Sequence, residues 1–332
     1  MAALKMKPDW SELLTELLNL ISQRITTEID LIRFRSVCSN WRSSSIRNHF
    51  HISPFNVPLL QYIDSIIINN NNNNYGTIPI SFYYLSKHSF YLIKPSQEQE
   101  QEQENYPWLI RVTQSSCGNT EISQSSFLST DSFDYPFDIL DFNELSIQLV
   151  AGDCFLLPDE DMLRYYNICV FKGRIYKVID KTGRTITVGP EDDPKAQLAA
   201  EPLVDCGPED NKKFLVESEG ELLLVDIDPV PVDLKIRLFR LDEKERKWVK
   251  FEKNLRDRVL FIGTKYSFSA SASDLCVPKG NCIIFIDEIF SEDRLSIVHL
   301  DQDRQLWPLC NHPEYYDLFW PPPKWIIKSQ LH

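Results

Sequence analysis

Phe214-Leu215-Val216-Glu217-Ser218-Glu219-Gly220-Glu221-Leu222-Leu223-Leu224-Val225 holds two apolar runs on either side of a Ser-Glu-Gly turn signal. Two strands folded back on each other are the local answer to such a pattern, because each run can bury its side chains against the other's neighbours. The second run has relatives inside the chain. Gly173-Arg174-Ile175-Tyr176-Lys177-Val178 and Gly280-Asn281-Cys282-Ile283-Ile284-Phe285 both align with the run that starts at Gly220, at spacings of 47 and 60 residues. In each, a glycine turns the chain and an apolar strand follows. Phe90 to Ile93 reads as a degenerate earlier copy.

Outward from these copies, short runs at 89–93, 167–170, 174–179, 214–217, 221–227, 235–241, 248–251, 282–286 and 295–300 alternate with turn signals. The signals are Lys172-Gly173, Lys181-Thr182-Gly183, Ser218-Glu219-Gly220, Asp242-Glu243-Lys244 and Lys279-Gly280. The expectation is consecutive antiparallel hairpins, so residues 80–326 form an all-β domain. A repeat of ~40–50 residues carrying several strands is the period of propeller blades. Runs 235–241 and 248–251, and runs 295–300 and 306–309, then supply outer strands. That period divides the segment into about five to seven kelch-like blades. Two stacked β-sandwich domains would give the same hairpins without the glycine-phased repeat.

The first fifty residues follow a helical period instead. Leu13, Leu14, Leu17, Leu18 and Ile21 lie on one face, with Pro8 and Asp9 before them and Glu12 and Glu16 in the first turns. A second helix carries Ile29, Leu31, Ile32, Phe34, Val37 and Cys38 and is capped by Thr27, with Asp30 three residues on. A third carries Trp41 and ends near Ile46. Leu17, Val37 and Trp41 are the expected core of this three-helix module at 8–50. So small a module must lean on its neighbour or bind a partner. Residues 51–80 form a linker with a polyasparagine tract at 69–74. That tract and the Gln-Glu tract at 97–104 have nothing to bury and read as solvated insertions.

The chain has 332 residues, and a net charge of −13 speaks against nucleic acid and anionic membrane as partners. No apolar run approaches the ~18–20 residues that span a bilayer, and Met1 to Trp10 lacks a signal peptide's apolar core. The eight cysteines (Cys38, Cys117, Cys154, Cys169, Cys206, Cys276, Cys282 and Cys310) are scattered and have no CxxC. That pattern reads as free buried thiols in a reducing compartment, cytoplasmic or nuclear. Cys276 and Cys282, flanking Gly280, could approach each other but read as inert. The chain contains no GxSxG, HExxH, Walker A or GxGxxG. The histidines His49, His51, His88, His299, His312 and His332 are dispersed, and His49-x-His51 lacks further ligands nearby. Glu191-Asp192-Asp193 sits beside prolines, in a solvated loop. No cofactor, no metal and no catalytic residue is expected.

Trp10-Ser11-Glu12-Leu13-Leu14-Thr15-Glu16-Leu17-Leu18-Asn19-Leu20-Ile21, with Leu31-Ile32-Arg33-Phe34-Arg35-Ser36-Val37-Cys38-Ser39-Asn40-Trp41-Arg42 after it, resembles an F-box. The F-box is the small helical module that docks on the Skp-type adaptor of cullin-RING ubiquitin ligases. The Val-Cys-x-x-Trp-Arg ending falls on Val37, Cys38, Trp41 and Arg42. The family's Leu-Pro pair stands here as Leu13-Leu14, a change that removes a rigid helix-start contact and implies weaker adaptor binding. Downstream, 214–225, Cys276-Val277-Pro278-Lys279-Gly280-Asn281-Cys282-Ile283 and Phe319-Trp320-Pro321-Pro322-Pro323-Lys324-Trp325 resemble the plant F-box family with a KIB-like C-terminal propeller.

The resemblance implies a non-catalytic substrate-recognition subunit of a Skp–cullin–F-box ligase. Its helices would dock the adaptor, and through it cullin and RING subunits, while the β domain recruits an unidentified protein substrate for ubiquitination. The residues implied for the module are Leu13, Leu14, Leu17, Leu18, Ile21, Leu31, Ile32, Val37, Cys38, Trp41 and Arg42. Two other readings compete. One is an interaction scaffold whose F-box is degenerate, and the other is a propeller enzyme with an acidic metal or sugar site at the channel mouth.

Overall fold

A computed structural model of the protein describes residues 10–25, 27–45, 57–58, 82–83, 86–95, 106–114, 120–124, 145–156, 168–189, 196–204, 211–228, 234–264, 266–286, 295–301, 305–319 and 323. The polyasparagine and Gln-Glu tracts, the 191–193 carboxylates, His49, His51 and the tail from Trp320 to Trp325, apart from Pro323, lie outside these residues.

Besides the two-stranded ribbon of β1 (Val57–Pro58) and β2 (Phe82–Tyr83), the strands form four sheets. The first contains β3 (Ser86–Pro95), β4 (Trp108–Gln114), β5 (Thr120–Gln124) and β6 (Leu145–Leu156), in the order β6-β3-β4-β5. The second is a meander of β7 (Ile168–Phe171), β8 (Arg174–Val178), β9 (Thr185–Val188) and β10 (Ala196–Ala200). The third is a meander of β11 (Lys212–Ser218), β12 (Glu221–Asp228), β13 (Lys235–Asp242) and β14 (Lys247–Lys250). The fourth holds β15 (Arg258–Ile262), β16 (Phe268–Ser271), β17 (Cys282–Phe285), β18 (Ser296–His299) and β19 (Trp307–Pro308), in the order β16-β15-β17-β18-β19. One edge strand of each sheet touches the next around a closed circuit, β6 to β7 to β11 to β16 and back to β6. Four blades around a ring of inner strands make a four-bladed β-propeller, a closure that protects sheet edges.

The expected five to seven blades are therefore corrected to four. The four sheets share the stretch from Ser86 to Pro308, so each blade with its connections uses more chain than the ~40–50 residues of the assumed period.

Two of the three glycine copies behave as the sequence suggests. Lys172 and Gly173 have φ of 50° and 70°, and Glu219 and Gly220 have 52° and 75°. Two successive positive φ values between directly paired strands form the primed two-residue turn whose twist matches a hairpin. The third copy is different. Here β17 runs parallel to β15, with Val259 opposite Cys282, so the expected chain of consecutive hairpins breaks. Between them the chain crosses through helix Ala272–Leu275, whose cap Ser271 accepts from the Asp274 N–H at 3.2 Å. Gly280 is required by proximity: a Cβ there would stand 2.3 Å from the Asp257 carbonyl carbon.

Apolar faces of successive blades meet in layers. Phe90, Leu92 and Leu109 of the first blade pack with Phe261, Phe268 and Ile284 of the fourth, under Tyr315 and Phe319. The C-terminal segment is tied there by the Leu109 N–H, which donates to the Leu318 carbonyl at 3.0 Å. Phe214, Val225 and Ile236 meet Leu260 and Phe285 between the third and fourth blades. Between the second and third, Val178 and Ala200 meet Leu222 and Leu224. There the Trp248 indole N–H donates to the Gly183 carbonyl at 2.8 Å.

The N-terminal module contains a 3-10 turn (Trp10–Glu12), α1 (Thr15–Ser22), α2 (Glu28–Ser36) and α3 (Ser39–Ser44). The first helix starts later than expected, with Leu14 at its N-cap position (φ −58°, ψ 136°). Thr27 caps α2 as the sequence suggests: its Oγ accepts from the Asp30 N–H at 3.2 Å and donates to the Asp30 carboxylate at 2.6 Å.

Candidate functional site

Two places on the molecule gather residues with something to bind. The first is the helical module. Leu18, Leu31 and Phe34 are its buried interior, and Trp41 lies against Phe34 with ring centroids 4.7 Å apart and ring planes tilted by 44°. The Trp41 indole N–H donates to the Trp10 carbonyl at 2.9 Å, and the Asn40 amide donates to the Leu13 carbonyl at 3.3 Å, so α3 holds the chain entering α1. The expected core of Leu17, Val37 and Trp41 is corrected here. Leu17 is 46% and Val37 45% exposed, while Trp41 is half-buried.

Of the other implied residues, Leu13 and Cys38 are half-buried, Arg42 is exposed, and Ile32 is buried but not within the module. Ile32 packs with Tyr91, Ile93, Trp108, Ile110, Val112 and Leu145 of the first blade, and Ile29 lies alongside. One face of α2 is thus part of the propeller's core. The α1 face is left open: Leu14 (66% exposed), Leu17 and Ile21 (43%) follow each other at helical spacing, with Leu20 and Trp10 also exposed. Periodicity singled out the α1 leucines, but it did not mark Trp10 or Leu20 as open, or Phe34 as the pivot of the core.

The second place is the propeller axis. A cavity of about 200 Å³ opens where the inner strands converge. It is lined by Val150 and Gly152 of β6, Cys169 of β7, Glu217 of β11, Arg258 at the start of β15, and Tyr266 to Ser269 leading into β16. Arg258 Nη2 donates to the Ser269 hydroxyl, and Arg258 Nε is buried with no hydrogen-bond partner. Glu217 accepts from the Gly220 N–H at 2.8 Å. Burial pushes the Cys169 thiol up to about 12, so it is a protonated thiol near neutral pH and no nucleophile.

Elsewhere, the fourth blade gathers Cys282, His299, His312 and Tyr315. Cys282 is likewise pushed up to about 12 by burial. His299 is held below its usual value by burial first and by neighbouring His312 second, with ring centroids 5.5 Å apart. Asp257 is lowered by hydrogen bonds from Ser271 and Ser273. The expectation that the cysteines are buried is corrected at two positions: Cys276 and Cys310 are free and exposed. Among the described residues no group of three or more His, Cys, Asp or Glu side chains is placed to hold a metal.

These features define a class of protein: a four-bladed propeller with a helical module fixed to one blade and an open apolar helix face. Residues 150–307 match the KIB1-4 beta-propeller family. In Arabidopsis thaliana, F-box protein At2g17036 is 28% identical over 97% of this chain and 95% of its own length. F-box protein SKIP23 is 29% identical over 96% and 95%, and F-box/kelch-repeat protein At2g24250 is 28% identical over 84% and 82%. The stretch 150–307 is thus similar to KIB-like β-propellers, and over nearly its whole length the chain is similar to plant F-box proteins.

Proposed function

We propose that this protein is the substrate-recognition subunit of a Skp–cullin–F-box ubiquitin ligase. The α1 face docks the Skp-type adaptor, and through it the cullin and RING subunits, while the propeller recruits a protein for ubiquitination. The observation that carries this reading is the division of labour within the module. Its α2 face is buried on the first blade, whereas Leu14, Leu17 and Ile21 of α1 face outward. Burying each such side chain in an interface is worth roughly 1.5–3 kcal/mol, so leaving three open is costly unless a partner covers them. The names of the Arabidopsis relatives support the same reading, and one of them supports kelch-like blades.

Catalysis in such a subunit is proximity: it raises the effective concentration of the recruited protein and supplies no nucleophile. The protonated Cys169 and Cys282 thiols agree with that role. A cytoplasmic or nuclear location goes with it. The degenerate F-box alternative rests on Leu14 standing where the family has proline and on an acidic, motif-poor propeller. Leu14 has φ −58°, the torsion a proline would impose, which weakens the first of these supports.

The test is co-purification of a Skp-type adaptor with the full-length chain and with a Leu17→Glu, Ile21→Glu double variant. Capture by the parent and its loss in a variant of unchanged melting temperature is the expected result. A folded parent that captures no adaptor refutes the reading.

A further inference from the structure

We propose that the axial cavity is a carboxylate site, in which Arg258 receives a side-chain carboxylate of the recruited protein. Only the source of that carboxylate rests on the substrate-receptor reading; the site itself stands on the geometry of the ring.

The cavity lies where the inner strands of all four blades come together, with lining residues from β6, β7, β11, β15 and the approach to β16. A ligand there touches several blades at once. Its one cationic side chain is Arg258, which makes no ion pair among the described residues. Nε and Nη2 form one straight edge of the guanidinium, spaced to meet the two oxygens of a carboxylate. In this protein Nη2 is met only by the neutral Ser269 hydroxyl, and Nε is buried and met by nothing. The Ser269 oxygen, acting as an acceptor from Arg258, still has its own O–H to give to an incoming anion. A carboxylate that turns this edge toward itself satisfies the orphaned donor and gains the hydroxyl as a third.

The rest of the lining selects among anions. Glu217 contributes a carboxylate to the β11 wall, and one of its oxygens is occupied by the Gly220 N–H. Arg258 and Glu217 together carry no net charge, so a carboxylate leaves the site at −1 and a phosphate dianion at −2, and the carboxylate meets the smaller repulsion from Glu217. The flanking Val150, Gly152, Ile168 and Val170 carry no charge, and a volume of about 200 Å³ suits one short acidic side chain.

The experiment uses the full-length chain and follows the Arg258 Nε–H resonance, assigned by its disappearance in Arg258→Lys. The probe is acetyl-Gly-Glu-Gly-amide, with the glutamine and phosphoserine analogues and free glutarate alongside. The glutamate peptide should shift that resonance saturably. Its affinity, read by titration calorimetry in parent and variant alike, should fall by about tenfold or more in Arg258→Lys, which keeps the charge and loses the edge. Ser269→Ala should weaken binding too, and serves if Arg258→Lys does not fold. No saturable shift, or an equal response to the glutamine peptide, overturns the proposal. Tighter binding of the phosphoserine peptide overturns the choice of a monoanion, and tighter binding of glutarate overturns the protein source. Adaptor capture should survive every one of these variants. Failure of capture with an intact resonance shift therefore sinks the ligase reading alone.

Discussion

Asp226 offers the sharpest test of what holds the propeller together. It lies on β12 directly opposite Lys213 of β11 and Arg237 of β13, so one carboxylate bridges two cations across three strands. Lys213 Nζ is 3.0 Å from Oδ1, and Arg237 Nε donates to Oδ2 at 2.9 Å. The Asn211 amide adds a bond at 3.2 Å. The Lys213 and Asp226 side chains are both 0% exposed, and that of Arg237 is 28% exposed. Asp226→Ala leaves an ammonium with no access to water and no counter-ion. Removing one partner of a buried pair costs about 3–5 kcal/mol, roughly a fifth or more of the 5–15 kcal/mol that stabilises a domain. At roughly 2–4 °C per kcal/mol, the melting temperature should fall by about 6–20 °C. Lys213→Met removes the surplus cation and leaves Asp226 paired with Arg237, so it should cost far less. Guanidinium titration followed by tryptophan fluorescence measures both. The reasoning is refuted if Asp226→Ala costs under about 1 kcal/mol, or if the two variants cost the same.

Three further outcomes follow from particular contacts. Gly280→Ala drives a Cβ to 2.3 Å from the Asp257 carbonyl carbon, whereas Gly173 and Gly220 have nothing within 4 Å of theirs. Gly280→Ala should cost more than the roughly 1–2 kcal/mol expected from positive φ alone at the other two, and denaturant midpoints that rank them otherwise contradict the parallel β15–β17 approach. Leu14→Pro keeps φ near −58°, and the Leu14 N–H donates no hydrogen bond among the described residues. It should leave stability unchanged or raise it by up to about 1 kcal/mol, and a clear drop in melting temperature would show that the α1 start is not as described. His299 is depressed below its unfolded value, so the unfolded chain binds its proton first as pH falls. The stability it supports is present above about pH 6.5 and lost below it, as the pH falls toward the folded value. His299→Gln should flatten the part of the stability profile between pH 7 and pH 5 that His299 controls, and an unchanged slope excludes this source.

What is legible in the sequence is whatever neighbouring residues decide. The pairing of 214–218 with 221–227, the two-residue turns at Gly173 and Gly220 and the Thr27 cap are settled within a few residues, and each formed as the local pattern requires. Gly280 looked like a third turn because a glycine before an apolar run carries the same letters whichever constraint selects it. Its reason is a carbonyl more than twenty positions earlier, which strand periodicity cannot express. The blade count failed for a similar reason, since the length of a connection is invisible to a period. In the module, Leu17 and Leu18 both fit an apolar stripe, but only Leu18 turns inward. Which side of a stripe is core depends on a neighbour, here the other helices of the module. Arg258 gave no signal at all, being one charge at a strand start until the ring closes around it.

The seating of α2 bears on how a recruited protein would be presented. Ile29 and Ile32 contribute to the same apolar cluster as Tyr91, Ile93 and Trp108, so the module and the first blade share one core. Burial of Ile32 at roughly 1.5–3 kcal/mol, with a smaller share from the partly buried Ile29, is enough to suppress free swinging of a module this small. A tethered module would offer a recruited protein to the ligase over a broad range of distances, whereas a seated one holds the axial cavity and the α1 face in fixed relation. Effective concentration then depends on that geometry rather than on linker length. Deleting the first fifty residues would accordingly strip the cover from Tyr91, Ile93 and Trp108 and destabilise the propeller along with the docking face. Loss of adaptor binding in such a truncation cannot separate the two effects. Substitution of Leu17 and Ile21, which touch no blade core, can.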